Sequence, residues 1–229
     1  MNDGGGSTYP PTTAIARLAA YGPTAALLSG ALAALGTVFL LLTFATQAST
    51  ITEPTTELTP LDRAANGLIG LAMLIAVPIA FRVHRSWRTQ TPGASTATLV
   101  LGGVSLLAYG LLSLVLAAGT FEPGDVGSLS VIPLGGIGLW LVLVSVLAAD
   151  TALEGWLRWL GIAIGLGLVL LPIGFFFGGG AAAAKNPALT FESPLLLVSA
   201  LVSLLAAQIG YPIWAIWLGR RWRAGRVGD

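Results

Sequence analysis

The segment AAQIGYPIWAIWLGRRWR, residues 206 to 223, runs from small apolar residues through a glutamine and a proline to tryptophans and then arginines. A helix that ends at a membrane surface has this order, because an indole buries its ring in the apolar layer and keeps its N–H near water. Arginines beyond it meet anionic headgroups, at about 1 kcal/mol each. The segment therefore predicts the end of a membrane-spanning helix.

The whole chain has the composition that such a segment requires. Of its 229 residues, 55% are hydrophobic and only 9% are charged, against about 25% charged in a soluble domain. Six apolar stretches are long enough to cross a bilayer, and they are continuous rather than alternating, which favours helices over barrel strands. The predicted spans are residues 22–46, 64–83, 97–118, 129–149, 156–178 and 195–218.

The sequence thus predicts an all-α, polytopic membrane protein whose six helices are joined by short loops. The bundle is expected to occupy residues 14–223. Residues 1–13 are rich in glycine, proline and threonine, which is typical of a disordered tail. Residues 224–229 form a second, short tail. No connection is long enough for a folded domain outside the membrane.

The distribution of basic residues predicts the orientation. With six spans both termini share one side, and nine of the eleven basic residues lie there. Cationic segments are retained in the cytoplasm during insertion, so both termini are expected to be cytoplasmic and the location to be the plasma (inner) membrane. The nine are Arg17, Arg82, Arg85, Arg88, Arg158, Arg220, Arg221, Arg223 and Arg226.

Tryptophan and arginine recur together at that side, in RSWR at 85–88 and WLRW at 156–159 as well as in the opening segment. We interpret these residues as a cytoplasmic belt of interfacial anchors. Its members are Trp87, Arg88, Trp156, Arg158, Trp159, Trp214, Trp217, Arg220, Arg221, Trp222 and Arg223.

Small residues recur four apart inside the spans, a spacing that lets two helix backbones approach. The first span has Ala26, Gly30 and Ala34, and the fifth has Gly161 with Gly165. Such positions serve either contacts within one bundle or contacts between copies in a homo-oligomer. Both readings remain open.

Prolines at 78, 133, 172 and 212 fall within the predicted spans, and each frees the carbonyl four residues earlier. For Pro133 that carbonyl belongs to Leu129, at the predicted start of a helix, where the loss costs little. The other three carbonyls lie deep in the membrane and need a partner.

Gln208 is the residue whose chemistry is most open. It lies near mid-span, and Pro212 frees its own carbonyl, so one position exposes an amide and a backbone acceptor. It could tie a kinked bundle together, through the carbonyl of Leu74 or a serine of the third helix. Alternatively it forms the polar floor of a small apolar pocket, with Asn66 and Tyr109 as further lining residues. Asn66 could instead cap the second helix.

Residues with catalytic chemistry are scarce. The chain has no cysteine and a single histidine, His84, so it lacks the usual means of holding a metal. No serine lies in a GxSxG elbow, and no nucleotide-binding glycine pattern occurs. The predicted span cores hold no ionisable residue, which argues against proton or sodium coupling. The net charge of +1 argues against a nucleic-acid partner.

The string YPIWAIWLGRR at 211–221, closing a chain of six short-looped helices, resembles the ending of a broad group of uncharacterised bacterial integral membrane proteins. The resemblance implies a bacterial inner-membrane location and no particular activity or catalytic residue. The predicted function is a non-enzymatic membrane protein, without a cofactor, that contacts membrane lipids and binds a partner subunit or a lipid-like molecule within the bilayer. The alternative is a small transporter or permease subunit without ion coupling.

Overall fold

The structure is a computed structural model that describes residues 13–47, 58–121, 123–147, 155–183 and 192–225. Within these ranges, six helices are long and apolar enough to span a membrane. The prediction of an all-α chain with six candidate spans is therefore confirmed. The predicted tail at 1–13 lies outside the described residues except for Thr13.

The helices of the described chain are α1 (Thr13–Ala20), α2 (Gly22–Gln47), α3 (Pro60–Trp87), α4 (Pro92–Ala118), α5 (Pro123–Leu147), α6 (Gly155–Phe177), α7 (Gly180–Ala183), α8 (Pro194–Leu205) and α9 (Tyr211–Arg223). The short helix α1 precedes the first span, and the short helix α7 follows the fifth. The last span is composite, because one π-helical turn at Ala206–Gly210 joins its two α-helical parts, α8 and α9.

Three spans begin at least four residues earlier than predicted, and in each the first residue is a proline. Pro60 starts α3 because Thr59 caps it: the Thr59 hydroxyl accepts from the Asp62 N–H and the Asp62 carboxylate accepts from the Thr59 N–H. Asn66 is therefore not the cap of this helix. Its Nδ2 donates to the Asp62 carbonyl at 2.8 Å, inside the first turns.

The position of Pro133 also differs from the prediction. Because α5 begins at Pro123, Pro133 lies inside the helix rather than near its start. The expectation that the loss of the hydrogen bond to Leu129 costs little is wrong for this reason. The apolar count placed the helix start too late, since Gly, Asp and Ser in its first turns lowered the hydropathy of that stretch.

The six spans form a closed ring. Each span packs against the next one along the chain, and the last span packs against both α6 and α2. Neighbouring spans run antiparallel: along α2 and the last span, Leu27 lies against Gly219, Gly30 against Ile216 and Thr37 against Gln208. The termini-side ends of all spans therefore lie together, and a single interior is enclosed between them.

Glycine pairs bring neighbouring backbones together. A Cβ added to Gly70 would lie 2.8 Å from the carbonyl oxygen of Gly110, and a Cβ added to Gly138 would lie 2.6 Å from that of Gly165. Helices gain no hydrophobic free energy by associating in lipid. Van der Waals contact between closely packed backbones stabilises the association instead. At Gly30 and Gly161, two of the predicted small-residue positions, atoms of neighbouring helices in the ring likewise pack directly against the glycine.

The interior is filled by large side chains, and the outside is apolar. Trp140, Trp214 and Tyr211 are among the largest fully buried residues. Leu111, Ile132 and Phe176 are instead more than half exposed. Outward-facing apolar side chains in such numbers are what a lipid-facing surface requires.

Candidate functional site

A cavity of about 20 Å³ lies inside the ring, and every one of the six spans contributes to its wall. A single water molecule needs roughly 10–15 Å³ by the same measure, so the cavity is of that size. Its wall is mainly aliphatic, with three polar side chains. The lining residues are Ala33, Ile69, Met73, Tyr109, Leu134, Ile137, Leu168, Ala207, Gln208 and Tyr211.

Gln208 reaches the cavity from the π-helical turn of the last span. In this turn the Tyr211 N–H bonds to the carbonyl of Ala206, five residues back. Pro212 follows and has no N–H to donate. Such widened turns are rare and occur frequently at functional sites. The turn leaves the carbonyl and the side chain of Gln208 both directed at the neighbouring helix α2.

Thr37 of α2 is the partner of Gln208. Its Oγ1 lies 2.8 Å from Gln208 Oε1, 3.0 Å from the Gln208 carbonyl oxygen and 2.9 Å from that of Ala33. One hydroxyl hydrogen cannot serve three acceptors. With the side-chain amide rotated so that Nε2 faces Thr37, the amide donates to Oγ1 and the hydroxyl donates to the Gln208 carbonyl. The side-chain amide nitrogen and the backbone carbonyl of Gln208 then each have a hydrogen-bond partner.

The sequence did not indicate Thr37. The sequence pattern favoured the carbonyl of Leu74 or a serine of the third helix as the partner of Gln208. In the structure, the last span packs between α6 and α2, so Gln208 faces Thr37. Which helices are neighbours cannot be read from span positions alone. A usable signal was the position of Thr37, which is the hydroxyl residue nearest the middle of that span.

The two tyrosines of the cavity are also tied to their surroundings. Tyr211 donates to Ser29 Oγ at 3.3 Å, and Ser29 in turn donates to the carbonyl of Ala26 at 3.2 Å. Tyr109 is hydrogen-bonded to the side chain of Ser113, one turn further along α4. The few polar groups in the cavity wall are therefore neutral and already have hydrogen-bond partners.

The other two predicted pocket residues lie elsewhere. The side chain of Leu74 packs against Gly110 of α4, where an added Cβ would be 2.9 Å from Leu74 Cγ. Asn66 is occupied within its own helix by the Asp62 carbonyl. The structure thus brings Gln208 and Tyr109 together on one cavity, and it places Leu74 and Asn66 outside the cavity wall.

The predicted anchor residues divide into an exposed set and a buried set. Trp159 is 67% exposed, and the Arg220 guanidinium lies 5.5 Å over the ring of Trp217, which meets Trp156 edge-on. These residues form a belt at the surface of the bundle. The other exposed or half-buried members are Arg88, Arg158, Arg221 and Arg223.

Three tryptophans of that prediction lie inside the bundle instead. Trp87 and Trp222 are buried, with the Arg82 guanidinium 5.5 Å over the ring of Trp222. Trp214 is 0% exposed and packs edge-on against Trp140, with ring centroids 6.3 Å apart. The anchor interpretation does not fit Trp214, because its N–H faces the protein interior rather than water.

His84 has a partner that the sequence did not reveal. Its Nδ1 lies 2.8 Å from Ser95 Oγ, which is also 2.9 Å from the His84 carbonyl oxygen. A serine next to a histidine is the core of a hydrolytic site. Here, however, Ser95 is fully buried, and both contacts of its hydroxyl return to His84. In this conformation the pair joins the end of α3 to the start of α4.

Charged groups of the described chain lie near helix ends, including Asp62, Arg82 and Arg220. Among the described residues, no group of three or more His, Asp or Glu side chains could hold a metal ion. The middle of the ring therefore offers neutral hydrogen-bonding groups in an apolar wall, which suits an uncharged ligand.

Comparisons of the chain with protein-family models, with curated proteins and with solved structures find no match.

Proposed function

We propose that this integral membrane protein is a non-enzymatic passage for small uncharged molecules, and that the ring is in its closed state. The observation that carries the proposal is that all six spans line one cavity around the mid-span residue Gln208. A passage needs every helix to reach one shared space, because its wall must separate the permeating molecule from lipid on all sides.

The chemistry of the wall limits what passes. The cavity holds about one water molecule, so a larger solute requires the ring to open. The amide of Gln208 and the hydroxyls of the two tyrosines exchange hydrogen bonds with a neutral polar solute. A permeating cation or anion would find no counter-charge in this wall, and no coupling ion could be held there.

The orientation follows from the basic residues. We place both termini in the cytoplasm of a bacterial cell and the ring in its inner membrane. Cysteines introduced at residues 55 and 124 are then expected to react with an impermeant thiol reagent from outside, and a cysteine at residue 90 is not. The reverse pattern of labelling would overturn this orientation.

The test of the function is permeability. We expect proteoliposomes with the purified protein to shrink or swell faster than protein-free liposomes in stopped-flow light scattering with water, urea or glycerol. Gln208→Leu should alter the rate for at least one of these, because it removes the amide from the cavity wall. Gln90→Leu, at an exposed position between α3 and α4, is the matched control. Permeabilities equal to those of empty liposomes for all three would refute the proposal.

A second candidate is the binding of a partner subunit or a second copy of the chain, and one surface favours it. Gly93 and Ala97 line an open groove on the outside of α4, and a Cβ added to Gly93 would meet nothing within 4 Å. Small outward-facing residues allow another helix to approach closely. Native mass spectrometry after mild extraction is expected to show a bound protein that Gly93→Leu removes. A monomer carrying lipid only would dismiss this candidate.

A further inference from the structure

The seam between α6 and the last span carries an exposed aromatic and basic cluster at its termini-side end. Trp156 of α6 and Trp217 of α9 meet there edge-on, with ring centroids 5.5 Å apart, and each is 43% exposed. The guanidinium of Arg220, also an exposed residue, lies 5.5 Å over the Trp217 ring. A guanidinium stacked on an indole still presents N–H donors along its edges, so this cluster can meet an anion.

An exposed apolar strip runs along the same seam from this cluster towards the middle of the membrane. Ile213 lies one turn before Trp217 on the same helix face and is 42% exposed. On α6, the exposed Ala163 lies two turns beyond the tryptophan that touches Trp217, again on one face. The helices stay in contact along this length, because a Cβ added to Gly210 would lie 2.6 Å from Ile164. The strip is therefore a continuous surface on which an acyl chain can lie.

The charges on the termini side of the molecule decide what the cluster can bind. The segments on that side hold nine basic residues and four acidic ones. In the described part of the chain, Asp62, Asp125 and Glu192 all lie at or near helix starts on the opposite side. A partner of this seam is therefore negatively charged where it meets Arg220 and apolar where it meets the strip. A phospholipid with an anionic headgroup has both parts in that order across the membrane interface.

We propose that Trp156, Trp217 and Arg220, together with the strip of Ile213 and Ala163, form a binding site for one anionic phospholipid. Its phosphate accepts hydrogen bonds from Arg220, the two indoles lie at the interface, and one acyl chain lies along the strip. A general belt of anchors contacts any lipid, whereas this site selects a negatively charged headgroup. The site lies on the outside of the ring and does not depend on a passage through it.

Native mass spectrometry of the intact protein in mild detergent tests the site, with equimolar phosphatidylglycerol and phosphatidylcholine of the same acyl chains. The wild type is expected to retain phosphatidylglycerol in preference to phosphatidylcholine. Arg220→Gln should lower that preference by about fivefold, as expected for the loss of one arginine–headgroup contact. Arg85→Gln is the matched control, because Arg85 is another exposed arginine of the termini side, at the end of α3. It should leave the preference unchanged.

A second variant tests the strip without touching a charge. Ala163→Phe covers the strip and should lower the retention of phosphatidylglycerol, whereas Ala31→Phe, at an exposed position of α2, should not. The site is overturned by equal retention of the two lipids in the wild type, or by equal losses in Arg220→Gln and Arg85→Gln. Displacement of the lipid by excess inorganic phosphate would assign the cluster to a free anion and also overturn it. Liposomes of background permeability would refute only the passage.

Discussion

Gln208 and Trp214 lie in the same span, both inside the ring, yet their polar groups differ in one respect. Gln208 meets Thr37, whose hydroxyl oxygen lies within hydrogen-bond distance of both the side chain and the backbone carbonyl of Gln208. Trp214 and Ser145 lie close together and remain unpaired among the described residues. The paired residue is the less buried of the two, because Gln208 is half-buried and Trp214 is fully buried. The difference is whether a neighbouring helix presents a matching group at the same depth, and this sets how much each substitution should cost.

The largest effect is expected from Thr37→Val. This substitution keeps the shape of the side chain but leaves the amide and the carbonyl of Gln208 without their partner, at about 1–3 kcal/mol of unfolding free energy. Thermal unfolding in detergent should show a clearly lowered Tm. Thr96→Val is the control, because its hydroxyl is exposed and bonds only to the Pro92 carbonyl. Equal Tm values for the two variants would contradict the role of Thr37.

Tyr211→Phe is expected to have a smaller effect, at about 1 kcal/mol. It removes the hydroxyl that donates to Ser29 but leaves Ser29 bonded to the Ala26 carbonyl, so no new unpaired group arises on α2. The measurement is the same unfolding experiment, with the exposed Tyr21→Phe as control. A loss as large as that of Thr37→Val would mean that Tyr211 supports more than this bond.

A double-mutant cycle sharpens the contrast between the two regions. Thr37→Val combined with Gln208→Leu should give a coupling free energy of about 0.6 kcal/mol, the average for hydrogen-bonded side chains on neighbouring membrane helices. Ser145→Ala combined with Trp214→Phe should give almost none, because these side chains do not bond to each other. Couplings of equal size would remove the distinction on which the comparison depends.

The smallest effect is expected from Ser145→Ala alone. The protein itself makes no hydrogen bond to Ser145 Oγ in its described part, so the unfolding free energy should change by about 0.5 kcal/mol or less. Chemical unfolding of wild type and variant under matched conditions measures this. A loss of the size expected for Thr37→Val would show that Ser145 has a protein partner after all.

Much of the fold could be predicted from the sequence, because a bilayer constrains the length and the hydropathy of each spanning helix. Length and hydropathy predicted the number of spans, and the deep amide of Gln208 predicted a site that needs partners. The starts of α3, α4 and α5 were placed too late because an apolar count ignores proline and capping residues in the first turn. In α3 the spacing of Thr59 and Asp62 is that of a capping box, which marks the helix start but does not affect a hydropathy count.

The tryptophans show that residue type alone does not predict whether a side chain is exposed or buried. Both Trp159 and Trp214 precede or follow arginine in the sequence, since Trp159 adjoins Arg158 and Trp214 lies six residues before Arg220. One is largely exposed and the other is fully buried. The rotation of each helix about its axis decides this, and rotation depends on which helices pack on either side. That information is absent from a sequence in which nearly every side of a span is apolar.

By itself, then, the sequence determined that the chain is a set of six apolar helices with a polar residue deep in the last one, since a bilayer admits few other arrangements. Only the tertiary structure decided that the last span closes the ring against the first. That closure makes Thr37 the partner of Gln208, gathers all six spans around one cavity, and leaves Ser145 and Trp214 facing Gly161. The physical reason is that hydrophobic burial in lipid does not distinguish one helix neighbour from another, whereas close backbone packing and paired polar groups do.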